Sequence, residues 1–128
     1  MELKSSEKRE LVKSILLQIK KAISDIQEWN KDVASSDDYW KDLNGKQHLA
    51  ATCMLLEAIG EGFKKVDALT QQQLLIEKDS IPWKEIIGMR NHIAHGYFDI
   101  DAELIFDTVK NDLPPLSDAV DYFLEKYQ

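Results

Sequence analysis

Residues 8–29, KRELVKSILLQIKKAISDIQEW, decide the fold class of this chain. Their apolar side chains recur at intervals of three and four residues, which is the spacing of one face of an α-helix. The face consists of Val12, Ile15, Leu16, Ile19, Ile23 and Ile26. The stretch therefore predicts a long amphipathic helix whose apolar side covers a core.

A second long helix is predicted from Gln47 to Val66. Its apolar set again follows helical spacing and comprises Leu49, Met54, Leu55, Ala58, Ile59, Phe63 and Val66. Gly60 and Gly62 interrupt this pattern, and each glycine costs a helix about 1 kcal/mol relative to alanine. We therefore expect another backbone to approach this helix closely at the glycines.

Five shorter helical segments are expected around the two long helices. The first covers 37–43, is capped by Ser36 and ends at a turn at Asn44-Gly45, and the second is a polar helix over 69–77. The third begins at Pro82-Trp83 and stops at Gly96. The fourth begins at Asp99 or Asp101 and has an apolar face of Leu104, Ile105, Phe106 and Val109, and the last begins at Leu116 after a break at Pro114-Pro115. No alternating strand pattern is present. The sequence predicts an all-α fold, with one domain over 1–128 built as an antiparallel bundle of two long helices plus several shorter ones.

The composition is typical of a globular protein of 128 residues, with 44% hydrophobic and 30% charged residues. No apolar run reaches the roughly 18 residues that cross a bilayer, and the charged start lacks the apolar centre of a signal peptide. We therefore expect a cytoplasmic protein without a membrane partner. Cys53 is the only cysteine, which excludes an internal disulfide, and its apolar neighbours predict a buried packing residue.

The net charge of −7 argues against a protein that coats nucleic acid non-specifically, because that binding depends on lysine and arginine. A small, locally basic site remains compatible with this charge. The acidic surface would also attract a basic partner at low salt.

Site chemistry is concentrated in residues 89–98, MRNHIAHGYF. In a continuous helix Asn91 and His95 share a face, whereas Arg90 lies roughly 140° from His95. The arginine and the histidine converge if the helix unwinds at 94–96, or if a two-fold axis brings arginine of one subunit near histidine of another.

Such a group suits cleavage of RNA without a metal or another cofactor. Histidine exchanges protons near neutral pH, and arginine binds the phosphate and the charge that develops on it. Asn91 is suited to orienting the histidine or binding a phosphate oxygen. Two alternatives remain open from the residues alone. One is a helix end that merely carries cations; the other is a metal site of His92, His95 and Asp99 or Asp101.

At these residues the sequence resembles the HEPN superfamily (higher eukaryotes and prokaryotes nucleotide-binding), in particular its HepT-like branch. The pattern of that branch is Arg, a polar residue, His four residues further on and Tyr two after that, written R-x4-H-x-Y. Arg90, Asn91, His95 and Tyr97 fill all four positions. The close similarity covers residues 81–116, and the preceding part resembles the branch mainly in its helical layout.

The resemblance implies an all-α homodimer with the motif at the subunit interface, acting as the ribonuclease toxin of a type VII-like toxin-antitoxin pair. Arg90 and His95 would be catalytic, with Asn91 in a supporting role and no metal. The implied partner is a minimal, MntA-like nucleotidyltransferase antitoxin that transfers AMP from ATP onto Tyr97. The alternative is an inactive nucleotide-binding or partner-binding module of a nucleotidyltransferase complex. If RNA is the substrate, its bases would stack on aromatic residues such as Trp83 or Phe98.

Overall fold

The computed structural model describes residues 4–94 and 97–128, and it describes every side chain among these except those of Arg90, Ala94 and Tyr97. Within this part of the chain the structure is helical and contains no strand, which confirms the all-α prediction. The α-helices are α1 (Ser5–Trp29), α2 (Asp38–Lys41), α3 (Leu43–Leu69), α4 (Trp83–Ala94), α5 (Ala102–Asp107) and α6 (Leu113–Glu125). Two 3₁₀ turns span Leu75–Lys78 and Tyr97–Asp99, and a π-helical segment spans Thr108–Asp112.

Four of these helices pack side by side in alternating directions. The end of α1 meets the first half of α3, where the Asn30 side chain donates to Thr52 Oγ1 at 2.9 Å. Helix α4 runs back along α3, from Phe63 beside Trp83 to Leu56 near Met89. Helix α6 runs antiparallel to α1. The last turn of α4, which carries the motif, therefore lies at the same end of the bundle as the junction of α1 and α3.

The junction of α1 and α3 is built on the fully buried side chain of Asn30. Its Nδ2 donates to the carbonyl of Ile26 at 2.8 Å and to Thr52 Oγ1, while its Oδ1 accepts from the Tyr39 hydroxyl at 2.7 Å. The Asn30 carbonyl accepts from Lys110 Nζ at 2.9 Å. This set of hydrogen bonds joins α1, α2, α3 and the π-helical segment, and it satisfies every polar atom of a buried amide.

Gly60 and Gly62 of α3 both mark close approaches, but the predicted close backbone is found at Gly60 only. A Cβ at Gly60 would lie 3.2 Å from the carbonyl oxygens of Ile86 and Ile87, so the backbone of α4 passes directly over it. At Gly62 the neighbour is a side chain, since a Cβ there would lie 2.9 Å from Cδ1 of Ile19. Glycine at position 60 therefore sets how closely α4 and α3 pack.

The expected turn at Asn44-Gly45 is wrong, because both residues belong to the first turn of α3. Asp42 caps this helix, its carboxylate accepting from the Gly45 amide at 2.8 Å. A Cβ at Gly45 would lie 2.2 Å from the carbonyl oxygen of Asp38, so the glycine serves a close crossing with α2 rather than a turn. Helix α3 therefore begins four residues before the predicted Gln47.

The expected cap at Ser36 is also wrong. Helix α2 begins after Asp37, and no side chain caps it. The carboxylate of Asp38 instead accepts from the backbone amides of Ala34, at 2.8 Å, and Ser35, at 3.4 Å. The carboxylate of Asp38, inside the first turn, thus pairs the backbone amides of the preceding loop. No hydrogen bond from the Ser36 side chain is needed to begin the helix.

Two further boundaries differ from the prediction. No helix spans 69–77; Gln71 and Gln72 have φ values of 50° and 59°, and this left-handed pair ends α3 before the 3₁₀ turn. Pro114 and Pro115 do not break a helix either, because they lie in the first turn of α6, where a missing N–H costs no intrahelical hydrogen bond.

Met54 and Ala58 were predicted to face the core, but both are exposed, Met54 by 70%. Leu56 takes the buried position instead. Cys53 is buried as predicted, and burial raises the pKa of its thiol to about 11. A thiol with this pKa is protonated at neutral pH and is a poor nucleophile.

Replacing Tyr39 with phenylalanine removes the donor to the buried Asn30 Oδ1. We expect the free energy of unfolding at pH 7 to fall by about 1–3 kcal/mol, the cost of a buried acceptor without its donor. Urea denaturation measures this change. Tyr122→Phe is the matched control, since the Tyr122 hydroxyl donates to Glu77 at the exposed surface, and we expect a change within about 0.5 kcal/mol.

The same pair of variants tests the ionisation of Tyr39. Burial raises the pKa of its phenol from 10.0 to about 12. The unfolded chain therefore ionises first, and the wild type should lose stability as the pH rises from about 10 to 12. Tyr39→Phe should lack this component, whereas Tyr122→Phe should keep it. An equal alkaline loss in wild type and Tyr39→Phe would contradict this assignment.

Candidate active site

Helix α4 carries most of the motif. Ile86 and Met89 anchor the helix with buried side chains against α3, and Arg90 follows directly after Met89. The side chain of Arg90 is not among those described. The structure describes this helix as far as Ala94, and His95 lies outside the described residues.

Asn91 is exposed on α4. Lys84, also exposed, lies on the same side of the helix about two turns earlier, and Gly88 lies between them. A Cβ added at Gly88 would meet nothing within 4 Å. These three residues form a side of α4 that we call the outer face, and it is open to a large ligand.

His92 lies about 100° around the helix from Asn91, on the side that meets α5. There it lines a cavity of about 90 Å³. The other lining residues are Ile93, Asp99, Ile100, Asp101, Leu104 and Ile105. The chain segment that follows the motif thus folds back against the second side of α4.

This cavity brings together three residues of the metal alternative, His92, Asp99 and Asp101. The carboxylate of Asp101 already caps α5, accepting from the amides of Glu103, at 3.0 Å, and Leu104, at 3.2 Å. Among residues 4–94 and 97–128, no group of three or more potential ligands is placed to hold a metal ion. The remaining member of that alternative, His95, lies outside the described residues.

The two aromatic residues expected to stack on bases occupy different environments. Trp83 is half-buried and packs against the core: its ring centroid lies 4.9 Å from that of Phe63 and 6.0 Å from that of Phe123, and its Nε1 donates to the Lys78 carbonyl at 3.0 Å. This packing argues against stacking of its ring on a base. Phe98, in contrast, is 98% exposed.

Tyr97 begins the 3₁₀ turn that ends at Asp99, and its side chain is not among those described. The turn places Tyr97 between α4 and α5 in the chain. Of the four motif residues, the structure thus describes Asn91 completely and the backbones of Arg90 and Tyr97.

One feature near the motif was missed by the sequence reasoning. Residues 91–109 contain four carboxylates and no lysine or arginine. The carboxylates are Asp99, Asp101, Glu103 and Asp107. This gap in basic residues was visible in the sequence, but its importance depends on which of these side chains are exposed.

Within the described residues, no helix has the length and apolar character of a membrane span.

Comparison with known proteins identifies the family. The sequence profile of the family described as Ribonuclease HepT-like matches residues 19–123. A protein of Methanocaldococcus jannaschii named "Putative RNase MJ1380" is 33% identical over 110 residues, which are 86% of this chain and 94% of the relative. A protein of Thermococcus cleftensis named "Probable ribonuclease HepT" is 32% identical over 104 residues, which are 81% of this chain and 87% of the relative. No solved structure matches the chain.

The matched region contains the helices of the bundle from within α1 to within α6, and it contains the whole R-x4-H-x-Y pattern. The fold, the pattern and the extent of the similarity agree. The chain belongs to the Ribonuclease HepT-like family.

Proposed function

We propose that this chain is a metal-independent endoribonuclease that acts as the toxin of a type VII-like toxin-antitoxin pair. Arg90 and His95 are its catalytic residues, and Asn91 supports them. The observation that carries the proposal is the complete set of motif residues inside the region that matches the ribonuclease family.

The reaction needs only groups that the motif supplies. A ribose 2′-hydroxyl attacks the adjacent phosphorus, and its proton passes to a histidine acting as base. The bond from phosphorus to the 5′-oxygen breaks, and that oxygen takes a proton from a histidine in its protonated form as it leaves. The products are a 2′,3′-cyclic phosphate and a 5′-hydroxyl. Arg90 stabilises the negative charge that builds up on the phosphate oxygens.

The outer face of α4 supports this assignment. A continuous helix would hold Arg90 and His95 roughly 140° apart. Their convergence therefore requires either that the helix unwinds before His95 or that the two residues come from different subunits. The outer face of α4, with Asn91 exposed and open space at Gly88, offers RNA an approach to the motif.

Arg90→Ala and His95→Ala should each lower RNA cleavage by at least about 100-fold, the scale of one general acid-base or charge-stabilising group. His92→Ala is the matched control, because it removes a neighbouring imidazole that faces α5, and it should keep activity. Cleavage of a fluorescent RNA by purified protein measures the rates, and growth of an expressing bacterium measures toxicity. Wild-type cleavage should persist in EDTA and should yield cyclic phosphate ends. Equal loss in His92→Ala, or full loss in EDTA, would contradict the assignment.

We further propose that the active form is a homodimer. Helix α3 carries an outward apolar face whose members recur at spacings of seven and four residues, namely Leu43, Ala50, Met54 and Ala58. Leu43 and Met54 are each 70% exposed. A two-fold axis near α4 would bring Arg90 of one subunit toward His95 of the other. Because α3 packs against α4, a dimer formed through α3 would place the two copies of α4 in one assembly and could complete the site.

Met54→Asp should weaken the dimer and lower RNA cleavage together, because it places a charge in an apolar contact. Ile76→Asp is the control, since Ile76 is 59% exposed in the 3₁₀ turn that precedes α4. Sedimentation and activity, each measured across a range of protein concentrations, should show activity returning as the variant re-associates. A wild-type protein that is monomeric and fully active would overturn the dimer proposal.

The antitoxin step of the proposal is transfer of AMP to Tyr97. The phenol oxygen attacks the α-phosphorus of ATP and loses its proton, a new O–P bond forms, the bond between the α-phosphorus and the bridging oxygen breaks, and pyrophosphate leaves. The product places an anion two residues from His95, where it blocks RNA and competes for Arg90. A nucleotidyltransferase encoded beside this chain is the expected catalyst.

Tyr97→Phe should take up no AMP when incubated with ATP and that nucleotidyltransferase, because the acceptor oxygen is absent. Its RNA cleavage should remain and should no longer be suppressed by the partner with ATP. Mass spectrometry of the intact protein measures the modification. Tyr122→Phe is the control and should be modified like wild type. Addition of AMP to Tyr97→Phe would show that another residue is the acceptor.

The net charge of −7 is the observation that favours a second function, a nucleotide-binding or partner-binding module without catalysis. In that case purified wild type leaves RNA uncut, while Arg90→Ala still weakens nucleotide binding by about 2 kcal/mol, the scale of a charged hydrogen bond. The RNA assay above separates the two functions.

A further inference from the structure

The segment after the motif presents exposed apolar side chains among carboxylates. Phe98 is 98% exposed, and Leu104, in α5, is 38% exposed. Asp99, next to Phe98, and Leu104 line the same cavity against α4. Glu103 and Asp107 are exposed on α5 beside Leu104. We call these five residues the acidic patch.

The charge of the acidic patch is not balanced locally. Within the described part of the chain, none of Asp99, Glu103 and Asp107 forms an ion pair. Burial, and then the nearby charge of Asp107, raise the pKa of the Asp112 carboxyl. The patch therefore combines two exposed apolar side chains with a negative field that no lysine or arginine between residues 91 and 109 offsets.

Two possible occupants fit this surface poorly. RNA carries one negative charge per phosphate, so its backbone is repelled by the carboxylates. A second copy of the chain, docked about a two-fold axis through the patch, would set the same carboxylates against each other. A protein with a basic surface fits both features, because it neutralises the carboxylates and covers the apolar side chains.

The position of the patch identifies the kind of protein. Phe98 is the next residue after Tyr97, and consecutive Cα atoms are about 3.8 Å apart. An enzyme that transfers a nucleotide to the Tyr97 oxygen must therefore contact or nearly contact Phe98. Such an enzyme must hold the negatively charged triphosphate of ATP, and cationic side chains and amide groups are the protein groups that do so.

We propose that the acidic patch is the docking surface for the enzyme that modifies Tyr97, with Phe98 and Leu104 as apolar anchors and Asp99, Glu103 and Asp107 as contacts for basic residues of that enzyme. The inference rests on the proposed AMP transfer to Tyr97 and adds the surface through which the partner is recognised. It leaves the outer face of α4 to RNA.

The test uses the full-length protein and the purified nucleotidyltransferase encoded beside it. The variants are Phe98→Ala, Leu104→Ala and the double variant Glu103→Lys/Asp107→Lys. Asp101 is left unchanged because its carboxylate caps α5. Three properties are measured: the Kd for the partner without ATP, the rate of AMP addition with ATP, and RNA cleavage by each variant alone.

Matched controls lie on other elements. Ile76→Ala removes a side chain that is 59% exposed in the 3₁₀ turn before α4. Glu10→Lys/Glu125→Lys changes the net charge by the same amount as the α5 double variant, at exposed positions of α1 and α6. Both controls should bind the partner as wild type does. Circular dichroism confirms that each variant is folded.

Phe98→Ala should raise the Kd for the partner by at least about tenfold, as expected for an exposed aromatic anchor. It should slow AMP addition at limiting partner. Leu104→Ala should also weaken binding and slow AMP addition, and it should leave RNA cleavage within about twofold of wild type. The lysine double variant should bind more weakly in low salt, with a smaller loss at high salt, because screening weakens exposed charge pairs.

Wild-type affinity in both Phe98→Ala and the lysine double variant would overturn the proposal. Loss of RNA cleavage by Phe98→Ala alone would assign the residue to substrate binding, and dissociation of its dimer would assign it to self-association; both results also overturn it. If wild type binds the partner but receives no AMP, or cuts no RNA, the proposed function fails while the affinity measurements still decide the docking surface.

Discussion

The hydrogen bonds of Asn30 hold the end of the bundle on which the candidate site depends. A buried amide is costly unless all of its polar atoms are paired, and here Tyr39, Thr52 and the Ile26 carbonyl pair them. The carbonyl oxygen of the same residue accepts a hydrogen bond from Lys110 Nζ. One residue thus fixes α1, α2, α3 and the segment before α6 relative to one another. Helix α4 is placed in turn by α3, whose Gly60 lets the two backbones touch.

The sequence was sufficient for the helices whose apolar residues recur regularly, and it failed where a distant contact sets the local structure. Asn44-Gly45 resembles a turn, yet the glycine is required because the carbonyl of Asp38 lies where a Cβ would be. Pro114 and Pro115 resemble a helix break, yet at the first turn of α6 they remove no hydrogen bond. Met54 is apolar like its neighbours in α3 but faces outward, because at 100° per residue it lies about 140° from both Leu49 and Ile59.

The site was predictable to a different degree. The motif residues were recognisable from their order alone, since chemistry follows from side-chain type. Their surroundings were not recognisable. Trp83 and Phe98 are both aromatic residues near the motif, but Trp83 is packed between Phe63 and Phe123 while Phe98 is exposed. Composition does not separate a core residue from a contact residue. For the same reason the acidic patch could not be predicted from the sequence, because its proposed role depends on the exposure of Leu104 and of the carboxylates of α5.

The acidic charge of the chain opposes RNA binding, and the same charge would strengthen the proposed inhibition. The phosphodiester that links AMP to a tyrosine adds one negative charge. On a basic surface this charge would be neutralised by neighbouring lysines, and inhibition would depend on bulk alone. Here residues 98–109 include four carboxylates and no lysine or arginine, so few neighbouring cations would neutralise the added charge before it competes for Arg90. At physiological salt the field extends about 8 Å, which covers the adjacent motif positions. In this arrangement the proposed addition of a single AMP to Tyr97 would be enough to weaken the binding of an RNA phosphate by Arg90.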